Sequence, residues 1–237
     1  MMKTVAIYGK EFSVESAPED FWSWVAEGRY DGEWRILQTY LRPEHTFIDL
    51  GAWVGSHSLF ASSIARRVIA VEPDPVAFPI LESNAALNNI EPVRIAITGQ
   101  EGVITLGSGF LGASTTRANR HAGAGIGAWE DGQQFDITCT TLRKFVETHA
   151  LQDPLFIKMD VEGSEEQILE DIEFFEQHKP TLYLENHPFW WKSEEACWQK
   201  IRRIAKLYED VLNLQSVPAD IERNQPRALI FITRKEK

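Results

Sequence analysis

The chain is poor in sulfur, short of positive charge and free of long apolar runs, and each deficit narrows its function. Two cysteines, Cys139 and Cys197, occur among 237 residues. They have neither the C-x-x-C spacing of a zinc or redox site nor the density of a disulfide scaffold, so both are expected as reduced packing residues. Lys and Arg number 24 against 35 Asp and Glu, a formal net charge of −11. Nucleic-acid binding draws its affinity from clustered basic side chains, so no nucleic-acid partner is expected. No stretch reaches the roughly 18 apolar residues of a membrane span. The opening residues, MMKTVAIYGKEF, lack the apolar core of a secretory signal, and a soluble cytoplasmic protein is the expectation.

A further absence is informative because it sits inside a motif that is present. Residues 47–56, FIDLGAWVGS, read as a buried strand entering a glycine turn, and VIAVEPD at 68–74 is a second strand with an acidic end. Glu72 follows the turn by the roughly 20 residues at which a βαβ unit presents a carboxylate to a ribose diol. Yet the dinucleotide pattern G-x-G-x-x-G is missing. Trp53 occupies the place of its middle glycine, where a pyrophosphate needs close backbone approach. Asp49 also sets negative charge beside the turn, which suits a cationic amino-acid group or a turn-orienting role. S-adenosylmethionine is therefore favoured over a nicotinamide dinucleotide. An ordinary strand-turn-helix with an aspartate cap is the bland alternative, weakened by the second acidic strand end.

The length suits one substantial α/β core, with residues 1–42 as an N-terminal cap and 43–237 as the main domain. A hairpin around Gly9-Lys10 and a tryptophan-rich helix, DFWSWVAEG, are expected in the cap. Strands at 46–50, 68–71 and 93–97 alternate with helices at 57–66 and 75–88, which predicts parallel pairing through right-handed crossovers. The segment 107–132 is rich in glycine and carries Arg117, Arg120 and His121 without apolar periodicity. It reads as a lid loop between strands 103–106 and 135–140, or as an excursion without function. A strand at 155–159 ends in carboxylates and precedes a helix over 164–177. A strand at 181–185 ends in Glu185-Asn186-His187, a helix covers 193–208, and strands near 211–214 and 228–233 form an antiparallel edge.

FIDLGAWVGSHSL, VIAVEPDPVAFPILESNAALNN, TTLRKF and FIKMDVEGSEEQIL, in this order and spacing, resemble the FkbM-type methyltransferases of the class I S-adenosylmethionine-dependent enzymes. The resemblance covers about residues 33–187. Its most specific element is K-x-D-x-E-G-x-E, carried by Lys158, Asp160, Glu162, Gly163 and Glu165. It implies a mostly parallel Rossmann-like sheet of order 3-2-1-4-5-7-6 with an antiparallel strand 7 and helices on both faces. It also implies methyl transfer, usually to a hydroxyl of a sugar, glycolipid or natural product, with S-adenosylhomocysteine as product. Trp53 departs from the polar asparagine usual in the family.

The candidate cofactor contacts are Asp49, Gly51, Ala52, Gly55 and Ser56 from the turn, Glu72, Pro73 and Asp74 from the second strand end, and Asp160. Methyl transfer needs alignment and a group to take the hydroxyl proton, because the sulfonium already supplies the activated methyl. His187, with Glu185 orienting its ring, is the candidate base; a structural histidine before Pro188 fits the position equally. Asp160 and Glu162 can hold the cofactor's amino-acid end, bind the acceptor or act as base, while Glu162 also suits a helix cap. Phe189, Trp190 and Trp191 offer a sugar-stacking wall or core packing. Asp160, Glu162 and His187 can form an oxygen-rich magnesium site, but no spacing demands one and metal independence is expected. The expected partner is a small-molecule or carbohydrate acceptor, and the tryptophan-rich cap offers a homodimer surface. A non-catalytic cofactor-binding scaffold and a nicotinamide oxidoreductase are the competing functions.

Overall fold

A computed structural model describes residues 2–15, 19–108, 133–222 and 224–233. The chain opens with a hairpin, β1 (Lys3–Ile7) and β2 (Lys10–Val14), followed by α1 (Glu19–Ala26) and α2 (Asp31–Tyr40). The core strands and helices then alternate: β3 (Thr46–Leu50), α3 (Ser56–Ser62), β4 (Arg67–Val71), α4 (Ala77–Ala86) and β5 (Glu91–Val93). A smaller sheet interrupts them, built from β6 (Ala96–Thr98), β7 (Gly102–Ser108) and β8 (Gln133–Thr141). The core resumes with α5 (Leu142–Thr148), β9 (Leu155–Met159), α6 (Glu165–Ile168), α7 (Ile172–His178) and β10 (Thr181–Glu185), and ends with α8 (Glu194–Ala205), β11 (Asp210–Leu212) and β12 (Ala228–Ile232).

The main sheet runs β11-β12-β10-β9-β3-β4-β5. Every pair from β10 to β5 is parallel, whereas β12 runs antiparallel to both β10 and β11. Numbered along this sheet alone, the order is the expected 3-2-1-4-5-7-6. The residues of β3, β9, β10 and β12 are all buried, as expected of strands covered on both faces, where apolar runs replace alternation. One apolar layer contains Phe47, Phe60, Phe156 and Ile230 together with Ile7, Val14 and Trp34 from the N-terminal elements, so the cap shares a core with the sheet. The opposite layer holds Ile48, Ile157, Phe175, Leu184 and Trp198.

Two expected elements are divided. The strand anticipated at 93–97 becomes β5 on the main sheet and β6 on the small one, which pairs in parallel with β8. Pro92, which has no N–H to donate, sits on edge strand β5, where proline is tolerated. The helix anticipated over 164–177 breaks because Asp171 caps α7, accepting from Phe174 N at 3.0 Å, while Arg143 Nε holds the same carboxylate at 2.8 Å. Helix α5 is additional to the expected elements. Its start is fixed by Thr141, whose side chain accepts from Lys144 N. β7 and β8 do pair antiparallel. Arg117, Arg120 and His121, with the lid reading attached to them, lie outside the described residues. Among the described residues no helix is long and apolar enough to cross a membrane.

Candidate functional site

The site lies where β3, β4, β9 and β10 present their carboxyl ends, the edge at which open α/β sheets bind ligands. Gly51 and Ala52 both donate to Val71 O at 3.0 Å, which folds the turn after β3 onto the end of β4. Gly51 has φ +76°, and a Cβ there would stand 1.8 Å from the Asp160 carbonyl oxygen. Only glycine lets the β3 turn and the β9 end touch backbone to backbone. Gly55, at φ +90°, leads into α3 and abuts Leu81, whose Cδ1 would lie 2.7 Å from an added Cβ. Asn84 braces the turn from α4: its Nδ2 donates to Val54 O at 2.8 Å, and its Oδ1 accepts from Glu15 N at 2.7 Å.

Glu72 closes the turn from the β4 side. One carboxylate oxygen accepts from Trp53 N and the other from Asp74 N, each at 2.8 Å. It thus pins Trp53, which has φ +49°, in a left-handed conformation that costs free energy for a bulky residue. Burial pushes the Glu72 carboxyl up to about 7, although its two backbone donors pull it back. Asp74 caps the next helix by accepting from Val76 N and Ala77 N.

At the end of β9 a buried charge network takes over. Lys158 Nζ lies 3.3 Å from Asp49 and 3.2 Å from Asp160, and it donates to Gly51 O at 3.0 Å. Burial works against its ammonium, but Asp160 and Asp49 outweigh burial and raise its pKa. Burial would likewise raise the Asp160 carboxyl, yet Lys158 and then His187 hold it below its ordinary value. Asp49 also accepts from Ser58 Oγ at 2.7 Å and is fully buried. It supports the turn from beneath and is not among the cavity-lining residues.

His187 corrects part of the sequence reading. Its Nδ1 contacts Glu165 at 2.8 Å, so Glu165, and not Glu185, orients the ring. Its Nε2 lies 3.5 Å from Asp160 and 3.8 Å from Glu162, which has φ +51°. Burial opposes a charge on the ring, but the Glu165 hydrogen bond and the neighbouring carboxylates push its pKa up to about 10. An imidazole held this way keeps its proton at neutral pH, which is not the state of a ready proton acceptor. Glu165 is fully buried and also accepts from Gly163 N at 2.8 Å and Trp191 Nε1 at 3.0 Å.

A single cavity joins these parts. It is lined by Gly51, Ala52, Ser56, Glu72, Pro73 and Asp74 on the cofactor-candidate side and by Asp160, Glu162 and His187 on the other, with Lys158 and Glu185 between. Gly55, like Asp49, lies outside the lining. Phe21, Tyr30 and Glu33 from the cap also face it, with Trp53 and His57. Phe21 meets Trp53 edge-on at 4.6 Å, and His57 Nε2 pairs with Glu33 at 2.8 Å. Among the described residues the aromatic wall is thus Phe21 and Tyr30 from the N-terminal elements with Trp53 from the β3 turn; Trp191 is buried on Glu165 instead, and the Phe189 side chain lies outside the described residues. Sequence reasoning passed over Glu165 as a site residue although it ends the E-G-x-E run. The cap's aromatic residues gave only their density as a signal.

Over 173 residues the chain is 26% identical to the hexuronic acid methyltransferase AglP of Haloferax volcanii, covering 71% of this chain and 66% of that one. A shorter stretch of 56 residues is 41% identical to the ribosomal protein L11 methyltransferase of Caldicellulosiruptor saccharolyticus, covering 23% and 18%. The solved precorrin-6y C5,15-methyltransferase of Geobacter metallireducens is 15% identical with a TM-score of 0.40, covering 81% of this chain and 75% of that one. The chain thus spans 66% and 18% of the lengths of the two curated relatives. The match that decides membership runs through residues 49–215, from the glycine turn past the carboxyl ends of β3, β4, β9 and β10, and the chain belongs to the methyltransferase FkbM domain family.

Proposed function

We propose that the protein transfers a methyl group from S-adenosylmethionine to a hydroxyl of a sugar, glycan or natural-product acceptor. The observation that carries this reading is one continuous cavity with Glu72 and the Gly51 turn at one side and Asp160, Glu162 and His187 at the other. Glu72 keeps a free lone pair on each oxygen for the ribose hydroxyls, because each oxygen accepts one backbone N–H. Asp160 receives the ammonium of the cofactor's amino-acid end. The acceptor lies against Glu162 and His187, with Phe21, Tyr30 and Trp53 as the apolar wall for a sugar ring. Family membership and the 26% identity to a hexuronic acid methyltransferase support methyl transfer to a carbohydrate. Cys139 and Cys197 are buried free thiols, which suits the reducing cytoplasm.

Calorimetry with S-adenosylhomocysteine, and with NADH in a parallel cell, tests the cofactor before any acceptor is known. Saturable binding of the first alone is expected, followed by methyl transfer across an acceptor panel of sugars and glycosylated metabolites. Binding of NADH alone sinks the reading.

Glu72→Ala is expected to weaken S-adenosylhomocysteine by roughly 10- to 100-fold, the worth of hydrogen bonds to a charged group. The same change orphans Trp53 N and Asp74 N, so it should also lower stability by about 2 kcal/mol, measurable by urea unfolding. Unchanged affinity contradicts the ribose assignment.

The raised carboxyl gives a pH signature. Between its ordinary 4.5 and about 7 the folded chain holds the Glu72 proton more tightly than the unfolded one, so this group's contribution to stability falls as pH rises through that window. The ionised carboxylate is the better acceptor for a diol. Cofactor affinity in the wild type should therefore fall by up to about tenfold per pH unit below neutrality. Glu72→Gln should flatten that profile in pH-dependent calorimetry.

A further inference from the structure

Among the described residues two histidines line the cavity, His57 and His187, and their partners differ in a way that decides which can take a proton. Both ring nitrogens of His187 face carboxylates, Nδ1 toward Glu165 and Nε2 toward Asp160 and Glu162, so both serve as donors. His57 meets one carboxylate: its Nε2 lies 2.8 Å from Glu33 Oε2. An ionised carboxylate only accepts hydrogen bonds, which places the ring proton on Nε2 and leaves Nδ1 with its lone pair. Nδ1 has no hydrogen-bond partner among the described residues.

The ring is also held in place. Trp34, fully packed in the core, lies against it with ring centroids 4.6 Å apart. Glu33 and Trp34 are neighbours on α2, so one turn of that helix supplies both the carboxylate and the packing surface. The His57 side chain is 12% exposed and that of Glu33 19%, and both line the cavity, partly withdrawn from water yet open to a ligand. Their position is at the reacting end. A charge on His57 acts on both Asp160 and Glu185, and its ring stands 6.4 Å from that of Tyr183, whose hydroxyl donates to Glu185. Fastening α2 to α3 does not require a polar pair there, because Trp34 already packs on Phe60 with centroids 5.9 Å apart.

We propose that His57, oriented by Glu33, is the base of the methyl transfer and takes the acceptor's hydroxyl proton on Nδ1. This inference rests on the hydroxyl-methylation reading above and names its catalytic residue. The acceptor O–H bond breaks as its oxygen bonds the methyl carbon, and the electron pair of the S–C bond returns to sulfur. The positive charge lost from the sulfonium therefore reappears on the His57 ring, beside the Glu33 carboxylate that stabilises it. Glu33 is a positioning residue, since it sets the tautomer and never meets the reacting atoms. His187, which keeps its proton, is left to donate to another acceptor oxygen.

Nitrogen NMR of the histidine rings, on the full chain saturated with S-adenosylhomocysteine at about pH 8, reads the tautomer above the ordinary imidazole range. His57 is expected with Nε2 protonated and Nδ1 bare. A proton on Nδ1 overturns the proposal, and this readout needs neither an acceptor nor a variant. Methyl transfer is then followed across the panel of sugars and glycosylated metabolites. His57→Gln should lower kcat by roughly 100- to 10,000-fold, the usual worth of a general base, with S-adenosylhomocysteine affinity kept. Glu33→Gln still accepts from Nε2 but lacks the charge, so kcat should fall at least about tenfold while KM changes little. A merely structural pair would instead lower stability in urea and leave kcat alone, which overturns the proposal. Wild-type kcat in a His57→Gln protein that binds S-adenosylhomocysteine rejects His57 alone, whereas wild-type protein that binds no S-adenosylhomocysteine rejects the methyl-transfer reading itself.

Discussion

Gly51→Ala is expected to lower stability by about 3 kcal/mol or more and to abolish measurable S-adenosylhomocysteine binding. Two penalties combine. A φ of +76° is strained for any side chain, and the new methyl would stand 1.8 Å from the Asp160 carbonyl oxygen. Backbone, not a flexible side chain, is what it meets, so relief requires moving the end of β9. That movement breaks the bond from Asp160 N to Leu50 O, which is 3.0 Å long, and carries Asp160 away from the turn. Urea unfolding and calorimetry read the two effects separately. A variant within about 0.5 kcal/mol of wild type that still binds the ligand would mean that the two strand ends separate freely.

Lys158→Met should cost about 3–5 kcal/mol, the usual effect of removing one partner from a buried ion pair. Methionine keeps most of the apolar stem, so the loss is chiefly electrostatic. It leaves the fully buried Asp49 with Ser58 Oγ alone and Asp160 with His187 alone, and removes the donor to the Gly51 carbonyl. Adding Asp49→Asn should recover part of the deficit, because one uncompensated charge disappears. The double-mutant cycle isolates the coupling between Lys158 and Asp49. Additive losses in that cycle would show the 3.3 Å pair to be energetically idle.

These two residues also show what was legible in the chain. Gly51, Glu72 and Asp160 were readable because local chain geometry fixes them: a strand followed by a turn admits few residue types, and the sheet aligns successive strand ends on one edge. The strand order followed from the family resemblance and was observed in full. The orientation of His187 was not readable. Its position two residues past Glu185 suggested a partner, but β10 ends at Glu185, so strand periodicity no longer fixes where His187 points, and its Nδ1 instead meets Glu165 at 2.8 Å. The split of the strand near Pro92 turned on which of two sheets each half joins, a matter of tertiary pairing that alternation cannot express. The cap's role was equally hidden, since a tryptophan-rich helix looks the same whether it covers a core or a cavity.

Phe21, Tyr30 and Glu33 face the cavity from the N-terminal elements that precede residue 49, where the family match begins. On the proposed reading the matched segment carries the cofactor's seat, while part of the acceptor wall comes from residues outside it. Exchanging residues 1–48 for those of another family member is then expected to change acceptor selectivity while S-adenosylhomocysteine affinity is kept.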